Sequence, residues 1–319
     1  MSKKKIKVAI LMGGISNERA VSLSTGRTVA KYLDPDKFSF RTYDTKKNLP
    51  KLFYDASRKK IDVCFIALHG QGGEDGSVQG MLELLEIPYT GPGIMASAIG
   101  MNKIISKKLF EKEKILTPKF IVFQADEIKL KGKTWNNILK KIKKKIGLSC
   151  VVKPSSCGSS VGVTIAKNER EIKKGIMAAL REDNRIIIDK YIKGKEITVG
   201  VLGNKEPKAL PVVEIVPKKK FFDYQAKYNP KFCDEIVPAR IPAKITKKAQ
   251  RIAQKAYQLI DCKGFSRVDM ILKGEKIYTL EINTIPGLTP NSLLPKAARE
   301  AGISFSKLLE EIIKFALEK

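Results

Sequence analysis

Asp269, Glu281 and Asn283 carry side-chain oxygens near one another in the chain, and Arg267 stands two residues before the first of them. Residues 266–272 and 277–283 alternate polar and apolar side chains, and the turn-like run Lys273-Gly274-Glu275-Lys276 separates them. That pattern predicts a β-hairpin. Folding it back places Asp269 within one residue of the position opposite Glu281. The two-residue period puts Asn283 on the face of Glu281, with Arg267 on the same face. Hard oxygen donors gathered in this way suit Mg²⁺, with phosphate oxygens completing an octahedral shell. The alternative is a solvated polar face on an edge hairpin.

A second stretch points to phosphate as well. Lys153-Pro154-Ser155-Ser156-Cys157-Gly158-Ser159-Ser160-Val161-Gly162 is small and rich in hydroxyls, and its glycines let the backbone approach a ligand. Such a loop can cover a triphosphate with N–H and O–H donors while Lys153 neutralises charge. It lacks the Gly-Lys-Ser/Thr of a Walker A loop. As a bare pattern it also fits a flexible hairpin tip.

These residues need a frame, and the chain offers one. Residues 1–94 read as alternating strands and helices. An apolar strand at 8–12 runs into Gly13-Gly14-Ile15-Ser16-Asn17-Glu18, and a helix follows to about residue 33. A second strand at 61–68 ends at His69-Gly70-Gln71-Gly72-Gly73-Glu74. Ligands in such folds bind beyond the carboxyl ends of the strands, so both glycine turns face one crevice, and His69, the only histidine, lines it. A helix carrying Lys103, strands at 120–123 and 150–153 and a Lys-rich helix between those strands build a second unit. A strand at 186–192 and another at 197–202 follow, then an irregular stretch at 221–240 that reads as a lid loop. A helix at 244–259 precedes the hairpin. The last helix, 304–317, turns Phe305, Leu308, Leu309, Ile312 and Leu317 to its apolar side.

The 319 residues are typical of two or three domains, and 43% hydrophobic composition is ordinary for a folded protein. The net charge is +28, from 61 basic and 33 acidic residues. Such a field raises a nucleic-acid partner. The excess is spread along the chain, however, and no lysine run carries interleaved aromatics for stacking bases. The densest run alternates with Trp135, Ile138, Leu139, Ile142 and Ile146 at helical spacing, which makes its lysines the wet face of an amphipathic helix. Five scattered cysteines without metal or redox spacing suggest free thiols in a reducing compartment. No apolar run approaches membrane-spanning length, so a cytoplasmic protein without a membrane partner is expected.

Taken in order, the turn with Asn17-Glu18-Arg19-Ala20-Val21-Ser22, the run 69–91, the loop 153–162, the segment 224–228 and the run 267–292 resemble the D-alanine–D-alanine ligases of the ATP-grasp family. The resemblance covers nearly the whole chain. It implies an α/β (α+β) fold of three domains: a Rossmann-like, pre-ATP-grasp domain over 1–94, a central ATP-grasp subdomain over 95–188 and a C-terminal one over 189–319. It implies ATP, two Mg²⁺ or Mn²⁺ ions and a monovalent cation as a further candidate, D-alanine as substrate, and a homodimer. Carried onto matching positions, it gives Lys103 and Lys153 to the ATP phosphates, Asp189 to the adenine amine and Glu196 to the ribose. Tyr191, Ile192 and Lys227 also join the nucleotide site. Asp269, Glu281 and Asn283 would hold the metals. Glu18 would take the first D-alanine's ammonium, with His69 near its carboxylate. Arg267 and the Gly287 N–H would face the tetrahedral oxyanion, and Ser292 with Leu293 the second substrate. Lys227 and Tyr228 would lie on the lid, where Tyr228, Ser159 and Glu18 form one hydrogen-bonded chain. A tyrosine at 228 goes with peptide rather than ester products.

The chain departs from the family pattern in places. It has Ser156-Cys157 where many relatives carry bulkier or charged residues, and Asp189 where many have glutamate. Cys157, among flexible donors, is expected to have a stabilised thiolate. Competing readings are a ligase joining a carboxylate to another amine or thiol, and a lysine-rich nucleic-acid binder.

Overall fold

The strand β1 (Ile6–Met12) is buried through its centre because it lies between two neighbours. β2 (Phe38–Asp44) and β3 (Val63–Ile66) both pair with it in parallel, in the order β2-β1-β3. Parallel neighbours need crossovers, and α1 (Arg19–Tyr32) and α2 (Leu49–Ser57) provide them. Gly13 and Gly14 have φ of +80° and +77°, so the chain leaves β1 through left-handed backbone that favours glycine. β2 escapes the sequence pattern because only Phe38 and Tyr43 of its seven residues are buried. The computed structural model describes residues 4–128, 130–158, 160–217 and 233–318.

Three helices, α3 (Ser77–Leu84), α4 (Ile94–Met101) and α5 (Lys103–Lys112), lead out of the first sheet. The second sheet uses β4 (Phe120–Gln124), β5 (Cys150–Pro154), β6 (Thr164–Ala166) and β7 (Arg185–Lys190), all antiparallel in the order β4-β7-β5-β6. α6 (Gly132–Lys145) and α7 (Glu169–Leu180) belong to this unit. α6 buries Ile138, Leu139 and Ile142 and leaves Lys140, Lys141, Lys143, Lys144 and Lys145 exposed, as the helical spacing requires.

The third sheet takes β8 (Lys195–Leu202), β9 (Lys208–Ala209), β10 (Val213–Pro217), β11 (Cys233–Ile236), β12 (Phe265–Lys273) and β13 (Lys276–Asn283). Its order is β11-β10-β8-β12-β13, with β9 beside β8. α8 (Ala243–Leu259) packs on one face. The stretch 221–240, read as a lid loop from sequence, ends differently: its residues 233–236 are β11, hydrogen-bonded to β10, while 221–232 lie outside the described residues.

α9 (Leu293–Glu300) packs on β8, and α10 (Phe305–Leu317) returns to β3 and α1 beside the first sheet, so the two ends of the chain share one apolar cluster. Leu308, Leu309, Ile312 and Ile313 are fully buried there. At about 1.5–3 kcal/mol each as an upper bound, they hold the last helix in place. The expectation for Leu317 is corrected: it is 37% exposed, and Ile313, four residues after Leu309, takes the buried position. Among the described residues no helix is long and apolar enough to cross a membrane.

Glu214 on β10 is buried and accepts from Arg240 Nη2 at 2.9 Å, Arg240 N at 3.0 Å and Lys195 Nζ at 2.8 Å. The hydrogen bonds from Arg240, more than burial opposes them, draw its pKa from 4.5 down to about 2. A carboxylate lowered in the folded state stabilises above its unfolded pKa and loses that contribution as pH falls from about 5 toward 2. Because Arg240 and Lys195 are partly exposed, ~1–2 kcal/mol is expected rather than the full shift. Urea midpoints should place wild type above Glu214→Gln at pH 7 and bring the two together only near pH 2. A constant gap over that range would contradict this account.

Candidate functional site

β12 runs between β8 and β13, and its alternation divides two environments. Val268 and Met270 face the apolar cluster under α8. Arg267 and Asp269 point to the other face, where Asp269 lies opposite Thr198 on β8 and Glu281 on β13, and Arg267 lies opposite Asn283. The hairpin read from sequence is present, with Gly274-Glu275 as its turn. A bulge between Asp269 and Met270 shifts the register by one: Met270 pairs with Thr279, then Asp269 pairs with Glu281, and Leu280 is passed over. That extra residue turns Glu281 onto the face of Asp269.

Asp269 is the hub of this face. Arg267 donates to it twice, Nε to Oδ1 at 2.8 Å and Nη2 to Oδ2 at 2.9 Å. Thr198 Oγ1 donates to Oδ1 at 2.6 Å, and Asn283 Nδ2 to Oδ2 at 2.9 Å. The fork fixes the plane of the Arg267 guanidinium. Two carboxylates on adjacent strands with an asparagine beside them form a hard, anionic donor set that fits a divalent cation shared with phosphate oxygens.

Lys103 joins this face to the loop after β5. Asn102 caps α5, its side chain accepting from Ile104 N and Ile105 N, and thereby sets Lys103 as the first helical residue. Lys103 N donates to Ser155 O at 2.9 Å, and its Nζ donates to Cys157 O at 2.7 Å and lies 3.3 Å from Glu281 Oε2. Asp183 holds the same loop from the other side, accepting from Ser155 Oγ at 2.7 Å and Ser156 N at 2.8 Å. Gly158, after Cys157 in the same loop, reaches the turn that follows β1. A Cβ placed on it would lie 2.6 Å from Glu18 Oε2, and one on Gly70 would lie 2.9 Å from the same oxygen. Glu18 is buried between them, at a cavity of about 390 Å³ lined also by Asn17, Ser156 and Cys157.

His69 is buried beside this cavity. Its Nδ1 is 3.2 Å from Glu74 Oε1, its Nε2 is 3.0 Å from Thr25 Oγ1, and its carbonyl accepts from Ser16 Oγ at 2.6 Å. Both glycine turns therefore do open on one crevice. Gly287 and Ser292 are neighbours: a Cβ on Gly287 would be 3.3 Å from Ser292 Oγ, and Ser292 and Leu293 begin α9. Tyr191 and Ile192 are half-buried between β7 and β8, and Glu196 is on β8. Ser159, Lys227 and Tyr228 lie outside the described residues, and with them the expected hydrogen-bonded lid.

Asp189 is tied down by charges the sequence did not show, and one reading, that of Cys157, changes. Asp189, expected at the adenine amine, is 2% exposed and has an ammonium at each oxygen: Lys107 at 3.1 Å and Lys153 at 2.8 Å. Its shorter side chain keeps the carboxyl among these lysines. Cys157 was expected to have a stabilised thiolate. Burial, with Asp183 and Glu182 nearby, instead raises its thiol pKa against the opposing pull of Lys103. The sequence reading also passed over Lys107 and Thr198. Lys107 was legible as the residue one helical turn after Lys103, whereas nothing local ties Thr198 to Asp269.

The comparisons with known proteins agree with this geometry. The family models described as D-ala D-ala ligase N-terminus and C-terminus match residues 41–92 and 109–314. The D-alanine–D-alanine ligase of Syntrophobacter fumaroxidans is 46% identical over 100% of both chains. The crystal structure of the Bacillus anthracis D-alanine–D-alanine ligase complexed with ATP superposes with a TM-score of 0.81 at 35% identity, covering 98% of this chain and 97% of that one. The VanG D-Ala:D-Ser ligase of Enterococcus faecalis gives 0.83 at 30% identity, covering 98% and 100%. The mixed α/β architecture is the ATP-grasp fold. Matched by both family models and, from end to end, by a relative far above 30% identity, the chain belongs to the D-alanine–D-alanine ligase family.

Proposed function

We propose that the protein joins two D-alanines into D-alanyl-D-alanine with ATP, releasing ADP and phosphate, and so supplies a peptidoglycan precursor. The carrying observation is the continuity of the site: Lys103 touches both Glu281 and the loop carbonyl of Cys157, and Gly158 packs on Glu18. One lysine thus joins a phosphate-binding loop to a metal-type carboxylate cluster, and Gly158 joins that loop to the ammonium acceptor.

A carboxylate does not acylate an amine directly, because oxide is a poor leaving group. Glu18 holds the first D-alanine by its ammonium, with His69 near the carboxylate. That carboxylate attacks the γ-phosphorus of ATP, an O–P bond forms, and the bond to the β-phosphate oxygen breaks to release ADP. Lys103 and Lys153 offset the charge of the polyphosphate. Asp269, Glu281 and Asn283 hold two Mg²⁺ (or Mn²⁺) ions, which supply charge neutralisation at the phosphates when bound. The amine of the second D-alanine, having shed a proton, attacks the carbonyl carbon of the acyl phosphate. Arg267 and the Gly287 N–H face the oxyanion, and phosphate leaves as the peptide bond closes. The reading includes a homodimer in the cytoplasm and the division of the chain near residues 94 and 188.

Phosphate release from ATP should require D-alanine, and mass spectrometry should find the dipeptide. Release that is indifferent to D-alanine, or a product with another amine, would sink the proposal. A finer check uses the closeness of Gly158 to Glu18. Gly158→Ala should push the Glu18 carboxylate aside and lower kcat/KM for D-alanine roughly tenfold to a hundredfold. Equal activity in the variant would show that Glu18 does not need that position.

A further inference from the structure

Lys107 has no part in the site as built so far. Its side chain is fully buried on α5, one turn after Lys103, over the ring of Phe120 at 5.2 Å. Phe120 lies opposite Asp189 across β4 and β7, and Lys153 is the diagonal neighbour of Asp189 on β5. Lys107 Nζ and Asp189 Oδ1 are 3.1 Å apart, a charge contact without an aligned hydrogen bond. The other oxygen of Asp189 is 2.8 Å from Lys153 Nζ. Two ammoniums thus share the Asp189 carboxylate, and Glu281, which also acts on Lys153, is itself paired with Lys103, so three ammoniums face two carboxylates. A buried cluster with a surplus positive charge is costly unless an anion completes it.

We propose that Lys107 is a positioning residue for the nucleotide: by sharing Asp189 with Lys153, it keeps the Lys153 ammonium from being wholly neutralised and leaves it to the triphosphate. This rests on the nucleotide site assigned above. Lys107 is too deep to touch phosphate, so its effect passes through Asp189. Without the Lys107 charge, Asp189 and Lys153 form a neutral pair, and Lys153 is held more firmly to the partner it already touches at 2.8 Å. Burial, with Lys153 nearby, draws the pKa of Lys107 down to about 8 against the opposing pull of Asp189 and Glu111.

The test measures binding of a fluorescent ATP analogue to the full chain without D-alanine, alongside kcat and KM. Lys107→Met should weaken nucleotide binding about tenfold or more, the loss of one charge-assisted contact, and raise KM for ATP more than it lowers kcat. Lys107→Gln, which keeps a polar group near Asp189 but carries no charge, should do the same. In an Asp189→Asn background the same change at 107 should have less than about a twofold effect, because the two act as a unit. Unchanged affinity in both neutral variants would overturn the proposal. So would an equal loss in both backgrounds, which would mean that Lys107 acts on the nucleotide directly. Because binding is read without the amino acid, a chain that binds nucleotide yet makes no dipeptide would refute the peptide-forming reading and leave this one standing.

Discussion

Replacing Glu281 with glutamine is expected to lower turnover by roughly three orders of magnitude, several kcal/mol of transition-state stabilisation. The substitution keeps the shape and removes the charge. Glu281 stands opposite Asp269, 3.3 Å from Lys103, so it is placed both to hold a cation and to set the lysine that reaches the loop. A neutral amide is a weaker ligand for a hard divalent ion. The remaining activity should therefore need more Mg²⁺, and the Mn²⁺ signal seen by electron paramagnetic resonance with ATP present should show weaker binding. Full activity at limiting Mg²⁺ would remove Glu281 from the metal site.

Arg267→Ala is expected to reduce kcat by roughly a hundredfold to a thousandfold, as for loss of an oxyanion donor. The guanidinium is fixed by its two hydrogen bonds to Asp269, and that pre-organisation lets it meet a developing charge without rearranging. Arg267→Lys should recover little, since a lysine cannot hold the fork to Asp269 and reach an oxyanion from the same plane. A change confined to the KM for ATP would make Arg267 a nucleotide-binding residue, and full rescue by lysine would reduce its part to plain charge.

Much of this was legible before folding was considered. The two-residue period fixed β12 and β13 and the face of Asp269, and the glycine turn at 13–14 marked where β1 ends, while β3, read over 61–68, is confined to Val63–Ile66. Helical spacing separated the wet lysines of α6 from Ile138, Leu139 and Ile142. These features are local, written in residue spacings that any strand or helix must obey.

The tertiary structure decided the rest, at points where partners are far apart in sequence. A regular hairpin closed by Gly274-Glu275 would set Leu280 opposite Asp269 and turn Glu281 into the core. The one-residue bulge brings Glu281 to the polar face, and no spacing rule announces a bulge. Thr198 reaches Asp269 only because β8 lies beside β12. Lys107 and Lys153 share Asp189 only because α5, packed against β13 of the third sheet, also brings Lys107 to β7 of the second. Strand and helix periods follow from each residue's own geometry, so the chain alone specifies them. Which buried charge meets which follows from how whole elements pack to bury apolar surface, and that is settled only in the folded molecule.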